Sequence, residues 1–155
     1  MPRIIPGAIH KCFCDVDYNY DFNKKNGKFA RWGKTFKDDP PYSPYGNEIL
    51  DIEISTICHG INGKPCKHCY KSNTGVGKNM SLETYQTIIK KMPKYNHEFF
   101  LTQVALGLGD VDANPDLIPI LEFTRSLGII PNLTINGDRM TSKLYDQLAS
   151  FVALS

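Results

Sequence analysis

Hydrophobic and polar residues alternate over residues 16–22, with Val16, Tyr18, Tyr20 and Phe22 on one parity and Asp17, Asn19 and Asp21 on the other. A period of two predicts a half-buried strand. The polar run Asn23-Lys24-Lys25-Asn26-Gly27 predicts a turn. Residues 28–36 resume the pattern with Ala30, Trp32 and Phe36 on one parity, so a β-hairpin is expected. Pro40, Pro41 and Pro44 mark residues 38–46 as a linker. From residue 48 the pattern changes. The segment 48–57 (EILDIEISTI) predicts a strand, and 99–106 and 129–135 predict two more. Between them Leu82, Tyr85, Ile88, Ile89 and Met92 follow the 3.6-residue period of a helix, with Ser81 placed to cap it and Pro93 to stop it. A second helix is expected over 117–127, with Asp116 as N-cap, Pro119 in its first turn and Gly128 just past its end. A third follows Thr141, with Leu144, Tyr145, Leu148 and Phe151 on one face, and residues 152–154 begin a fourth strand.

The order β-α-β-α-β-α-β implies parallel strands joined by right-handed crossovers. In such folds ligands bind outside the carboxyl ends of the strands, so the residues just after each strand are the ones to inspect. At 155 residues the chain is too short for a closed eight-stranded barrel, which needs roughly 250. It stops in the apolar run Phe151-Val152-Ala153-Leu154-Ser155, so the expected architecture is an N-terminal fragment of something longer. Two parts are expected: a hairpin extension with its linker over 1–47, and an α/β unit over 48–155.

Composition narrows the function classes. Eighteen Lys+Arg against sixteen Asp+Glu give a net charge of +2, too small to call for a nucleic-acid or membrane-surface partner. A hydrophobic fraction of 41% is enough for a packed core. No apolar run reaches the ~18 residues of a membrane span, and the first seven residues (MPRIIPG) lack a signal-peptide core; a cytoplasmic protein is expected. In that compartment an odd number of cysteines, five, points away from a disulfide framework and toward metal or redox chemistry.

Three of these cysteines, Cys58, Cys66 and Cys69, follow the first strand of the alternating region, in a long loop that runs to Met80 without periodicity. Thiolates select zinc or iron–sulfur clusters, and three of them leave one coordination position open, as a reactive centre requires. After the second strand comes Gly107-Leu108-Gly109-Asp110, where glycine lets backbone approach a ligand and a carboxylate can accept from an ammonium group. A turn with a capping acid would give the same letters. Asn136-Gly137 after the third strand is a turn signal, and Ser155 stands after the fourth.

Taken together, these points resemble the radical S-adenosylmethionine (SAM) superfamily. Its members hold a [4Fe–4S] cluster through a C-x3-C-x2-C loop after the first strand of a partial (β/α)6 barrel. Cys66-Lys67-His68-Cys69-Tyr70 is similar to the second half of that loop. Leu108-Gly109-Asp110-Val111, with Asn114-Pro115-Asp116-Leu117 after it, is similar to the Gly-Gly-Glu-Pro region, and Ile135-Asn136-Gly137 stands where Thr-Asn-Gly is often found. The likeness covers about residues 48–155. Cys58 and Cys66 are separated by seven residues where the family usually has three, and Asp110 replaces a glutamate.

The resemblance implies an N-terminal fragment of a partial (β/α)6 barrel with about four parallel strands and three helices. It implies an enzyme that uses a [4Fe–4S] cluster and SAM to generate a 5′-deoxyadenosyl radical for hydrogen abstraction. Cys58, Cys66 and Cys69 would be the metal ligands. His68 and Tyr70 would meet the adenine, Leu108, Gly109 and Asp110 the methionine end, and Asn136 and Ser155 would complete the cofactor site. An external electron donor and a small-molecule or peptide substrate are implied, with little turnover from this piece alone. Two other readings stay open: a zinc-bound structural or interaction module using Cys58, Cys66, Cys69 and either His59 or His68, and a Cys66–Cys69 dithiol redox motif, which ordinarily opens a helix. Cys12 and Cys14 flank Phe13 at strand spacing and read as part of a half-buried strand.

Overall fold

The structure is a computed structural model that describes residues 1–64, 66–135 and 137–152. Its largest sheet lies in the first 32 residues. Strands β1 (Arg3–Pro6), β2 (His10–Cys14), β3 (Asn19–Asn23) and β4 (Phe29–Trp32) form an antiparallel meander in the order β1-β2-β3-β4. Ile4, Phe13, Tyr20 and Arg31 stand in one row across it, with Lys11, Phe22 and Phe29 in the next. The expected hairpin is present as β3 and β4, but it is half of the sheet. In the other half, the strand expected around Phe13 is present as β2, but its place in a sheet was hidden because Lys11 occupies an inward position between Pro6 and Phe22. It is 4% exposed, and its Nζ donates to the carbonyl of Leu101 at 2.7 Å. A lysine on the buried parity breaks the alternation on which the sequence reading depends.

The second sheet is parallel and three-stranded. It joins β5 (Ile49–Glu53), β8 (Gln103–Gly107) and β9 (Ile130–Thr134) in the order β5-β8-β9. Helices α1 (Leu82–Lys90) and α2 (Leu117–Ser126) are the crossovers, and α3 (Ser142–Ala149) follows β9. A two-residue pair, β6 (Lys94–Tyr95) with β7 (Glu98–Phe99), precedes β8. Ser81 caps α1 as expected, its hydroxyl accepting from the Thr84 N–H at 3.2 Å. Asp116 sits at the N-cap position of α2, yet its carboxylate accepts from the Leu82 N–H at 2.9 Å, so it serves the start of α1. Gly128 adopts φ +70 just past α2, the left-handed residue that ends a helix. Val104, Leu106, Ile120, Leu121, Tyr85 and Ile89 form the core between sheet and helices.

The expected barrel fragment with four parallel strands is therefore corrected. The structure is a mixed fold, with a four-stranded antiparallel sheet, a three-stranded parallel sheet and three short helices. Of the expected fourth strand, Val152 lies in a bend and residues 153–155 are outside the described residues. Among the described residues no helix is long and apolar enough to cross a membrane.

The two sheets meet at the amino end of the parallel strands. Phe13, Tyr18, Tyr20 and Phe22 of the meander pack with Phe100 and Ile130, which lie at the starts of β8 and β9. The Tyr20 hydroxyl donates to the Phe100 carbonyl at 2.8 Å. Phe13 and Phe100 meet edge-to-face at 4.8 Å, a favourable aromatic geometry. The meander thus closes the amino end of the parallel sheet and leaves the carboxyl ends of β5, β8 and β9 to the loops.

Candidate metal and cofactor site

The loop of residues 54–81 rises from the carboxyl end of β5. Its two strands are pinned together at the base. The Ile54 N–H donates to Gly107 O at 2.8 Å, Met80 N–H to Ile54 O at 2.9 Å and Thr56 N–H to Lys78 O at 2.9 Å. Asn114, 4% exposed, donates its Nδ2 to the carbonyls of Ile54 and Met80. Asn114, three residues before α2, therefore locks the neck of the loop. Satisfying both carbonyls at once leaves little freedom below the cysteines.

Cys58 is fixed against the end of β8. Its N–H donates to Thr74 O at 3.0 Å, and the Asp110 N–H donates to Ile57 O at 3.1 Å. Gly109 makes this approach possible: a Cβ there would fall 2.4 Å from Cys58 Cβ and 2.7 Å from Ile57 O. Cys66 and Cys69 close a turn, with the Cys69 N–H donating to Cys66 O at 3.1 Å. All three cysteines line one pocket of about 520 Å³, together with His59, Thr74 and Gly75. Cys66 and Cys69 are exposed, and Cys58 is half-buried.

Backbone N–H groups point at two of the sulfurs. The Gly60 N–H lies 3.4 Å from Cys58 Sγ. The N–H groups of Asn73 and Lys71 pull the Cys69 thiol below its ordinary range. Burial, followed by the charge of Asp110, pushes the Cys58 thiol up despite the Gly60 N–H. Among the described residues, no three Cys, His, Asp or Glu side chains are gathered closely enough to hold a metal ion. The three cysteines thus share a pocket without being gathered at ligating distance.

Asp110 stands where the sequence places it, at the carboxyl end of β8, but its carboxylate is 1% exposed and engaged. Both oxygens accept from the His59 N–H, at 3.2 and 3.1 Å, and Oδ2 is 2.5 Å from His59 Nδ1. Arg139, which forms a two-bond pair with Asp112, approaches the same carboxylate at 4.0 Å. Asp110 therefore fastens the residue after Cys58, a role the sequence did not suggest because His59 and Asp110 are 51 positions apart.

The remaining expected cofactor residues are scattered. Leu108 is buried in the core, His68 is exposed and Tyr70 is 88% exposed. Asn136 and Ser155 lie outside the described residues. No helix follows Cys66-Lys67-His68-Cys69 before Leu82, so a dithiol motif that opens a helix does not describe it. Cys12 and Cys14 belong to β2, in the meander at the opposite end of the parallel strands. Burial and a hydrogen bond to Asp21 push the Cys12 thiol up to about 11, which makes it an inert sulfur at neutral pH.

A second pocket escaped the sequence reading. It is lined by Asp51, Glu53, Tyr70, Lys71, Gly107 and Thr134, among others. The signal was present in EILDIEISTI: Asp51 and Glu53 alternate with Leu50, Ile52 and Ile54, which marks one face of β5 as polar. No family model, no curated protein and no solved structure matches the chain.

Proposed function

We propose that this chain is a radical SAM protein that ligates a [4Fe–4S] cluster through Cys58, Cys66 and Cys69. The observation that carries the proposal is the placement of three thiols around one pocket at the carboxyl ends of parallel βαβ strands. The donor set fits the group: three soft sulfurs, two of them facing backbone N–H groups of the kind that tune cluster potentials. When bound, the cluster and SAM supply reductive sulfonium cleavage and hydrogen abstraction from an unactivated C–H bond, and an external donor provides the electron.

The chain's own residues bind and orient. Gly60, Lys71 and Asn73 stabilise thiolate charge through their N–H groups. Gly109 lets the cysteine loop lie against β8. His68 and Tyr70 on the loop, Gly109, Asp110 and the backbone of Leu108 after β8, and Asn136 and Ser155 are the proposed cofactor contacts; the Leu108 side chain belongs to the core. The Asp110 carboxylate would have to exchange His59 for a ligand ammonium.

A second reading rests on the His59–Asp110 pair. A metal-ligating histidine commonly gives its other ring nitrogen to a carboxylate. His59 Nδ1 faces Asp110, and the His59 ring lines the cysteine pocket. Cys58, Cys66, Cys69 and His59 would then hold a zinc ion in a structural module.

Anaerobic reconstitution with iron and sulfide, followed by metal analysis and visible absorption, separates the two. A brown protein containing iron and sulfide, able to cleave SAM when reduced, supports the cluster. A colourless protein with one zinc, whose affinity falls with His59→Ala, supports the module.

A further inference from the structure

The parallel sheet has two unlike faces. Leu50, Ile52, Val104, Leu106 and Leu133 pack toward the helices. The other parity carries Asp51 and Glu53 on β5, Ala105 and Gly107 on β8, and Asn132 and Thr134 on β9. Asp51, Ala105 and Asn132 stand in one row, and Glu53, Gly107 and Thr134 in the next. Parallel sheets are ordinarily covered on both faces, and their strands then read as continuous apolar runs. Here one face is polar, and the small residues of the central strand make it a trough between two polar walls. A pocket of about 340 Å³ occupies this trough at the carboxyl end. It shares no lining residue with the cysteine pocket.

Charge in the trough is unbalanced. Lys71 pairs with Glu53 Oε2 at 2.5 Å. Glu53 Oε1 is buried and has no hydrogen-bond partner among the described residues. Asp51 is exposed beside it, and the Thr134 hydroxyl lies on the facing wall. A buried acceptor left without a donor is costly, and a ligand N–H removes that cost. Two carboxylates against one ammonium leave the pocket one charge negative. The exposed ring of Tyr70 at the rim already faces the Lys71 ammonium, 5.9 Å from its centroid, so the two carboxylates are the acceptors left for a ligand.

We propose that this trough binds an organic cation bearing ammonium N–H donors, with Glu53 Oε1 and Asp51 as its acceptors. The proposal goes beyond the thiolate reading and uses none of its metal ligands, although Tyr70 and Lys71 lie on the same loop as those ligands. The cation has two possible sources: the ammonium and sulfonium of SAM, or a separate amine substrate.

The test uses the full chain and three probes of equal length and different charge: butylammonium, butanol and butyrate. Binding is followed through the backbone amide resonances of Asp51, Glu53, Lys71 and Gly107. Butylammonium alone should shift them. Asp51→Asn, at an exposed position where misfolding is not expected, should weaken that binding about tenfold, as loss of a charge-assisted hydrogen bond does. Cys66→Ala should leave it unchanged, which keeps the outcome separate from that of the metal proposal. SAM that displaces butylammonium identifies the first source, and SAM that binds without displacing it identifies the second. The proposal is overturned if butyrate shifts these amides as readily as butylammonium, if none of the three probes shifts them, or if Asp51→Asn binds butylammonium as the parent does.

Discussion

Asp110→Asn separates a clamp from a bystander. The carboxylate is 1% exposed, so solvent screens it little. It accepts from the His59 N–H and from the His59 ring. Hydrogen bonds to a charged group are worth ~1.5–3 kcal/mol each. The His59 side chain is 54% exposed, which reduces its share, so a net loss of about 2 kcal/mol is expected. Asparagine also turns an NH2 toward donors where an oxygen stood, so the lost bonds are not regained. For a domain of this size a 2 kcal/mol loss lowers the melting temperature by roughly 4–8 °C. Thermal or urea unfolding of Asp110→Asn, His59→Ala and the double variant measures the coupling directly. The backbone N–H survives in His59→Ala, so the cycle reports the ring alone, and a coupling of about 1 kcal/mol is expected. A melting temperature within ~1 °C of the parent for Asp110→Asn, or strict additivity in the cycle, would refute the clamp.

Lys11 should show itself in the alkaline limb of stability. Burial holds its ammonium from 10.5 down to about 8 in the folded chain, so between those values the unfolded chain binds more protons and stability rises with pH. That contribution is about 3 kcal/mol in all. Unfolding measured at pH 7.5 and pH 10 should show the rise shrink in Lys11→Met relative to the parent, and an identical slope in the two proteins would count against a buried Lys11. Gly109→Ala places a methyl 2.4 Å from Cys58 Cβ and should cost ~1–3 kcal/mol while weakening metal uptake; normal stability and metal content would show that the loop does not lie on β8. Ser81→Ala removes the α1 cap and should cost about 1 kcal/mol in denaturant unfolding, with no change in metal content.

The parts legible in the sequence were those where one periodicity holds across an element. Leu82, Tyr85 and Ile89 gave α1, Ser81 its cap and Gly128 the end of α2. What escaped was set by tertiary partners. Lys11 faces inward because the Leu101 carbonyl, just before β8, accepts from it; this breaks the alternation of β2, so the strand expected around Phe13 was not joined to the hairpin. Asp116 caps a helix other than its own. Asn114 ties the loop neck through carbonyls 60 and 34 residues away. The cysteine loop was recognisable by composition and position, whereas its anchor, the His59–Asp110 contact, joins side chains whose separation carries no local pattern. The barrel expectation failed because the largest sheet is the antiparallel meander of residues 3–32, outside the alternating region, and because the parallel sheet has three strands among the described residues.

Metal content after anaerobic reconstitution, in the parent and in Cys58→Ala, Cys66→Ala, Cys69→Ala and Cys12→Ala, tests the central claim most directly. The account predicts about four irons and four sulfides per chain in the parent and in Cys12→Ala, with each of the other three variants losing the cluster. Retention of iron by Cys58→Ala together with its loss from Cys12→Ala, or stoichiometric zinc without iron in the parent, would contradict it.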